Sequence, residues 1–425
     1  MPTESAIGDD GMVQLLVVVN IFYPDRGGGA AVFSDMCYAL AERGIDVTVQ
    51  CAYPYYPEWK DKSNRNGWRI WRYEDKGVKV ERHGLFIPGQ PNSLWQRLLY
   101  EASFFFSLLR SLPRRRKGFD VIMVYCPLVG AVAYATLIKL VHKIPIWLNV
   151  QDLSAEAAEA SEISKSRALN HIFQFVQRFL FNKADVWSTI SPVMIARLEC
   201  MRKQNQPLLY LPNWVNASLA ERINTMMEKV GRSVSSPVNL LYAGNIGKKQ
   251  DLLRFCEVLR QSDALFEFRI YGNGGEAKKI QHWIQQSGDA RFQFGPFLGE
   301  LEFAQALQHA DLFVITEKQG SGGSFIPSKL IPGIMSASPI LAVCDGASPL
   351  GQEIRNTQCG PWFSWSQLSE LSDFISDLPN RPDEYVTWQK NAIARVAFYD
   401  RDNIISQYMT ELHNIATGRC FYGAI

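Results

Sequence analysis

"QLLVVVNIFYPDRGGGAAVFSDMCYALAERGIDVTVQC", Gln14 to Cys51, holds one complete β–loop–α–β unit. Gln14 to Asn20 is a run of β-formers with no alternation, the pattern of a strand buried on both faces. The turn "IFYPDRGGG" follows. After it comes a segment with helical apolar spacing that stops at Gly44, a helix C-cap. "DVTVQC" is the next strand. A strand, a crossover helix and a second strand require a parallel sheet.

The same order continues outward from this unit. It resumes at "DVIMVYC" with its helix, at "IPIWLNV", and at "DVWSTIS" followed by "PVMIARLE". After "YLPNWVN" and a polar stretch ending "GRSVSSP", it starts afresh. "VNLLYAGNIG" and "FEFRIYGNGG" are strands running into glycine turns, each followed by a helix. "ADLFVITEKQGSGGS", "SKLIPGIMSA" and "SPILAVC" then lead to the closing helices. The reading is α/β, with two Rossmann-like domains meeting near residues 215–237. In open parallel sheets ligands sit beyond the carboxyl ends of the strands, so the glycine turns would line a cleft between the domains.

A chain of 425 residues is too long for one ordinary core, which agrees with two domains. With 47% apolar and 20% charged residues it is a folding chain, and a net charge of +2 gives no reason to expect nucleic acid. Eight cysteines stand singly, the usage of reduced cytosolic thiols. The polar, acidic start "MPTESAIGDDGMV" is no signal peptide. Val121 to Ile138 carries no charge over 18 residues, a length that invites a membrane-span reading. Pro127 divides it into a β-rich and an Ala/Leu-rich half, which favours a buried strand feeding a buried helix.

Several glycine loops are candidate phosphate sites. Gly27, Gly28 and Gly29 stand between a strand and a helix start, where they serve either a tight turn or a close backbone approach to an anion. "GNIGKKQ", Gly244 to Gln250, places Asn245, Lys248 and Lys249 where a strand hands over to a helix, suiting a diphosphate. Gly272 and Gly274 of "YGNGG" have G-x-G without a dinucleotide fingerprint. "KQGSGGSFIPSKL", Lys318 to Leu330, contains Gly322 and Gly323 but is not a Walker A loop, because its lysine follows Pro327-Ser328 rather than glycine. Pro327, Ser328 and Lys329 are donor-site candidates. Ser328 with nearby backbone N–H groups would cap the next helix and hold phosphate while Lys329 supplies charge, or Ser328 is only a cap and Lys329 is solvated.

These stretches, taken with "FYPDRGGGAAVFSDMCYALAERGIDVTV" and "YLPNWVN", resemble in order the retaining GT-B glycosyltransferases of family 4. The "PSKL" ending is similar to the subgroup that builds bacterial surface polysaccharides, fucosyl-type enzymes of colanic acid assembly included. The resemblance implies an acceptor-binding domain over 1–215, a nucleotide-sugar-binding domain over 216–397, and a C-terminal helix near 398–418 crossing back to the first. It also implies a nucleotide-sugar donor, GDP-fucose or a UDP-sugar, and no cofactor or metal. Six dispersed histidines agree with the last point. The diphosphate would then be neutralised by lysines and helix N-termini. Glu317 matches the first glutamate of the family's paired motif. The second is missing, since position 325 is Phe and an alternative alignment offers Pro332. Asp152, after "NVQ", is a candidate to orient or deprotonate an acceptor hydroxyl, or to cap a helix over Leu153 to Glu156, with Glu156 the weaker carboxylate.

The segment "PNSLWQRLLYEASFFFSLLRSLPRRRKG" has a further pattern. On a helix, Trp95, Leu98, Leu99, Ala102, Phe105, Phe106 and Leu109 share one face, and Gln96, Tyr100, Ser103, Ser107 and Arg110 the other. Arg114, Arg115, Arg116 and Lys117 follow. Between Lys60 and Lys117 there are 14 Lys/Arg against 5 Asp/Glu. An apolar face beside basic charge suits an anionic inner-leaflet membrane and a polyprenyl-diphosphate-linked glycan acceptor, on the cytoplasmic face of the inner membrane. A core-packed helix followed by a solvated loop is the other reading. Two functions compete with sugar transfer: a sugar-nucleotide 2-epimerase of the same architecture, and a non-catalytic subunit of a glycan-assembly complex.

Overall fold

The computed structural model describes residues 12–419, apart from 26–28, 64–66, 68, 91–92, 114–117, 127, 153–166, 204, 227–230 and 321–325. The expectations for Gly28, Arg114, Arg115, Arg116, Lys117, Glu156, Gly322 and Gly323 lie outside the described residues.

The first sheet is built from β1 (Gln14–Val18), β2 (Asp46–Ala52), β3 (Trp71–Asp75), β4 (Val78–His83), β5 (Val121–Cys126), β6 (Ile146–Val150), β7 (Val186–Thr189) and β8 (Leu208–Tyr210). Their spatial order is β3-β4-β2-β1-β5-β6-β7-β8. All neighbours are parallel except the β3–β4 hairpin. The second sheet contains β9 (Val238–Asn245), β10 (Phe266–Asn273), β11 (Phe292–Gly295), β12 (Leu312–Thr316), β13 (Ile340–Val343) and β14 (Trp362–Phe363). It is wholly parallel, in the order β11-β10-β9-β12-β13-β14. The strand order reverses beside β1 in one sheet and beside β9 in the other, which opens a crevice at the carboxyl edge of each.

β1, β5, β6 and β7 are buried along nearly their whole length, because helices cover both faces. The uncharged stretch after Val121 is β5 followed by the helix Val129–His142, packed in the core, and no helix among the described residues is long and apolar enough to cross a membrane. The final helix, Arg401–Thr417, returns to the first sheet. Ile404, Ile405, Tyr408 and Leu412 join its core, Tyr408 stacks on Trp147 at 5.2 Å, and its hydroxyl accepts from Asn149 Nδ2 at 2.8 Å.

β3 and β4 were not legible as an element in the reading of the basic segment. Yet "WRYEDKGVKVERH" has a two-residue turn, Lys76-Gly77, with φ of +49° and +76°, flanked by alternating side chains. The hairpin takes up much of the local positive charge. Arg72 pairs with Glu81 at 2.5 Å and Lys79 with Asp46 at 2.8 Å, while buried Arg82 donates to the Ala52 carbonyl and the Tyr73 hydroxyl.

The helix Leu94–Leu108 also differs from its sequence reading. Tyr100, Phe104 and Leu108 point inward, although Tyr100 was assigned to the polar face. Spacing of four keeps these three in one row, and the Tyr100 hydroxyl is satisfied by Asn20 Nδ2 at 2.5 Å and Tyr55 Oη at 2.6 Å. Of the expected apolar face, Phe105 and Leu109 pack partly on the core, while Trp95, Leu98, Leu99 and Phe106 remain exposed.

Candidate functional site

The carboxyl edges of both sheets face one another. Asp152, two residues beyond β6, lies 3.5 Å from the ammonium of Lys249, which sits in the loop after β9. The two candidates from different domains are therefore in contact, each about a quarter to a third exposed.

The second domain supplies most of the remaining groups. β9 and β10 are in register to their last residues, Gly244 opposite Gly272 and Asn245 opposite Asn273, so two glycine turns lie side by side. Gly244 and Gly274 have φ of +140° and +147°, a region where side chains are strained. A Cβ on Gly272 would come within 2.0 Å of the Gly244 carbonyl oxygen, and one on Gly274 within 2.4 Å of the Ile246 carbonyl oxygen. The glycines are thus required for two backbones to approach. The Asn245 carbonyl accepts from Tyr242 Oη at 2.5 Å, and Gln250 Oε1 accepts from Gly247 N at 2.9 Å, fixing the loop that carries Lys249.

Glu317 follows β12 directly and is buried. Its backbone is pinned on both sides: its N–H donates to Val343 O at 2.9 Å, and its carbonyl accepts from Trp365 Nε1 at 2.7 Å. Neither carboxylate oxygen has a hydrogen-bond partner among the described residues. Burial pushes its carboxyl up to about 8, helped by the charge of Asp345; the Ser348 hydroxyl, Lys329 and Lys249 act in the opposite direction. Lys329 Nζ is likewise buried without a hydrogen-bond partner, 3.6 Å from the centre of the Tyr242 ring. Burial draws its ammonium down to about 7, with Glu317 opposing. Its chain passes 3.4 Å from where a Cβ on Gly244 would stand, so Lys329 reaches the β9 turn from the far side of the sheet edge.

One expectation is corrected. Ser328 does not cap the following helix: the helix is only Leu330–Met335, the cap position is Lys329, and no side chain caps it. Ser328 is exposed, and Pro327 is buried beside it. Gly29 does precede the helix Ala30–Glu42, but a Cβ there would strike the Phe33 ring at 2.2 Å. The position is therefore glycine for packing, whatever it binds. Tyr242, Trp365, Ser348 and Asp345, which support or flank the buried pair, were missed; only Ser348-Pro349 bore a sequence signal, that of a helix start. Asp400 caps the last helix and Asp402 pairs with Arg43. Two shallow grooves on the second domain, beside Arg269 and along β14, contain none of these residues.

A buried acid and lysine with unused hydrogen-bonding capacity stand beside glycine turns at a switch point, an arrangement whose chemistry suits a phosphorylated ligand. Comparisons with known proteins bear on the fold and the family. The pattern described as "Glycosyl transferase 4-like domain" matches residues 27–214. The putative colanic acid biosynthesis glycosyl transferase WcaI of Escherichia coli (strain K12) is 28% identical over 352 residues, covering 80% of this chain and 85% of that one. Residues 27–214 thus match a glycosyl transferase 4-like domain, and the two-sheet architecture is that of GT-B glycosyltransferases. Solved structures share this fold at low identity. Sucrose-phosphate synthase from Thermosynechococcus elongatus superposes with a TM-score of 0.73 at 14% identity, over 96% of this chain and 100% of that one. HepE from Anabaena in complex with UDP-glucose gives 0.66 at 14% identity, over 94% and 99%.

Proposed function

We propose that this glycosyltransferase moves a sugar from a nucleotide-sugar donor to a polyprenyl-diphosphate-linked glycan in surface polysaccharide assembly, with retention and without a metal ion. The observation that carries it is the meeting of Lys249 and Asp152 where the two sheet edges face each other. One side of this contact suits the leaving group and the other the incoming hydroxyl.

In this reading the donor diphosphate lies over the Gly244 and Gly272–Gly274 turns, and Lys249 and Lys329 balance its charge. The bond from the anomeric carbon to the diphosphate oxygen breaks, and its electron pair stays on the diphosphate, where the two lysines stabilise it. The acceptor oxygen forms the new bond on the face the diphosphate leaves, Asp152 orients its hydroxyl, and the hydroxyl proton passes to the departing diphosphate oxygen. Glu317, held rigid by β13 and Trp365, faces the sugar or the phosphate. GDP-fucose is favoured by the kinship to WcaI, whose name places it in colanic acid biosynthesis; a UDP-sugar is the next choice, since HepE was solved with UDP-glucose. The enzyme would act at the cytoplasmic face of the inner membrane as a peripheral protein.

Thermal unfolding with a panel of nucleotide sugars tests the donor. GDP-fucose or a UDP-sugar is expected to raise the midpoint, and Lys249→Ala to abolish the effect. No stabilisation by any nucleotide sugar would refute the assignment, and turnover of the sugar nucleotide to its epimer without acceptor would replace it.

A further inference from the structure

The helices Leu94–Leu108, Val129–His142 and Arg167–Phe181 pack side by side as one layer on the first sheet. Each leaves large apolar side chains in solvent. On the first, Trp95 is 68% exposed and Phe106 is also outward. Leu140, 74% exposed, and Val141 continue the surface on the second helix; Phe175, 71% exposed, and Phe179 continue it on the third. Six large apolar side chains exposed on one three-helix layer are more than the singly scattered ones normal for the surface of a soluble protein.

The charge on this layer is one-sided. Over residues 94–110, 129–143 and 174–183 the cations are Arg97, Arg110, Lys139, Lys143, Arg178 and Lys183, and the only acid is Glu101. Lys139 is paired at 2.6 Å with Asp185, just past the third helix, which leaves five other cations on the layer. Glu101 is turned inward, its Oε2 accepting from Gly130 N at 2.9 Å. Lys183 lies over the Phe179 ring at 4.5 Å, placing a cation beside the apolar surface. A second copy of the chain would bring the same cations against each other. Anionic lipid headgroups above an acyl layer complement both features.

We infer that this three-helix face is a docking surface for an anionic bilayer, formed by folded helices and not only by the segment around Leu94 to Lys117. It deepens the reading above, on which its purpose rests, while its residues lie outside the donor site. The orientation follows from the helix directions. Tyr100 meets Asn20 just beyond β1, so the end bearing Trp95, Leu98 and Leu99 is the cleft end. At the opposite end Tyr134 Oη donates to Ser111 O and His142 Nε2 meets Pro113 O. Leu140, Val141, Lys143 and Lys183 lie toward this far end, so the face runs the length of the layer, and its Trp95, Leu98 and Leu99 end is the part beside the cleft and a lipid-borne acceptor.

The test uses the full chain and phosphatidylcholine vesicles with and without phosphatidylglycerol, at low and high salt. Wild type is expected to float with the phosphatidylglycerol vesicles and to be released by salt. Leu140→Ser/Phe175→Ser/Phe179→Ser should weaken partitioning about tenfold or more. Lys143→Glu/Arg178→Glu should remove the preference for phosphatidylglycerol. Both variants should retain stabilisation by nucleotide sugar, which shows that fold and donor site persist. Wild type that fails to float, or a triple variant that floats unchanged, overturns the proposal. So does a wild-type dimer that the triple variant converts to monomer, which would give the face to a second copy. Vesicle binding without any response to nucleotide sugars would instead count against the donor reading alone.

Discussion

Replacing Lys329 with Met should make the protein more stable and nearly inactive. Burial lowers the lysine from its ordinary 10.5 to about 7, and no hydrogen bond among the described residues compensates the ammonium. Because the folded value is depressed, stability is fully present above 10.5 and is lost as pH falls toward 7, where the unfolded chain gains a proton that the folded chain resists. Between pH 9.5 and pH 7 the loss is on the order of 3 kcal/mol, from 1.36 kcal/mol per pH unit of protonation difference. Glu317 has the opposite slope: its folded value is raised from 4.5 to about 8, so its contribution is present below 4.5 and lost as pH rises through 8. The pair therefore costs most near neutrality. Denaturation midpoints from pH 6 to 9.5 should be nearly flat for wild type between pH 7 and 8, where the two slopes cancel, and rise above about pH 8. They should lose that limb in Lys329→Met and change least in Glu317→Gln/Lys329→Met. Turnover of Lys329→Met should drop by about 10²–10³, the scale of losing one preorganised charge at a developing anion. A less stable Lys329→Met protein with an unchanged pH profile would refute the argument.

Other perturbations read different parts of the site. Lys249→Ala should lower turnover by about 10² or more, while Asp152→Asn mainly raises the acceptor KM; both should change stability by under about 1 kcal/mol, since their contact is partly exposed. Gly272→Ala forces a Cβ to 2.0 Å from the Gly244 oxygen and should cost about 2–4 kcal/mol, seen as a lowered melting midpoint together with weakened donor binding. Tyr408→Phe should cost about 1 kcal/mol for the bond from Asn149, and Tyr408→Ala about 3–5 kcal/mol for the ring stacked on Trp147, both measured by chemical denaturation.

The sequence made the parallel strands legible because each is a short apolar run followed by a turn and a helix, as at Gln14–Val18 and Val121–Cys126. The β3–β4 hairpin is hard to see in the sequence because the charged residues at its exposed positions mask the alternation of its strands. The helix at Leu94 was assigned the wrong inner face because Tyr100 counts as polar in a pattern, although its hydroxyl is satisfied by Asn20 and Tyr55, which are 80 and 45 residues away. At the site, Lys249 and Lys329 could be picked out by the turns around them. The burial of Lys329 against Tyr242 and the isolation of Glu317 could not, because both depend on which strands become neighbours. Ser328 failed for a local reason: the helix starts one residue too late for its side chain to reach an orphan N–H.

The strength of each interdomain contact also bears on mechanism. Asp152 and Lys249 are partly exposed and 3.5 Å apart, a pair worth little in water, so an arriving diphosphate can take Lys249 from Asp152 at small cost. Alignment of the domains must then come from elsewhere. Both chain crossings between the sheets converge on one carboxylate in the helix Ala30–Glu42. Asp35 Oδ2 accepts from Trp214 Nε1 and from Arg401 Nε, each at 2.7 Å, and Oδ1 accepts from Ala217 N at 3.3 Å and Arg401 Nη2 at 3.2 Å. A shared, charge-assisted clasp of this kind is far stronger than the exposed pair in the cleft. It holds the sheet edges opposite each other while leaving the contact at the proposed transfer point free to exchange partners.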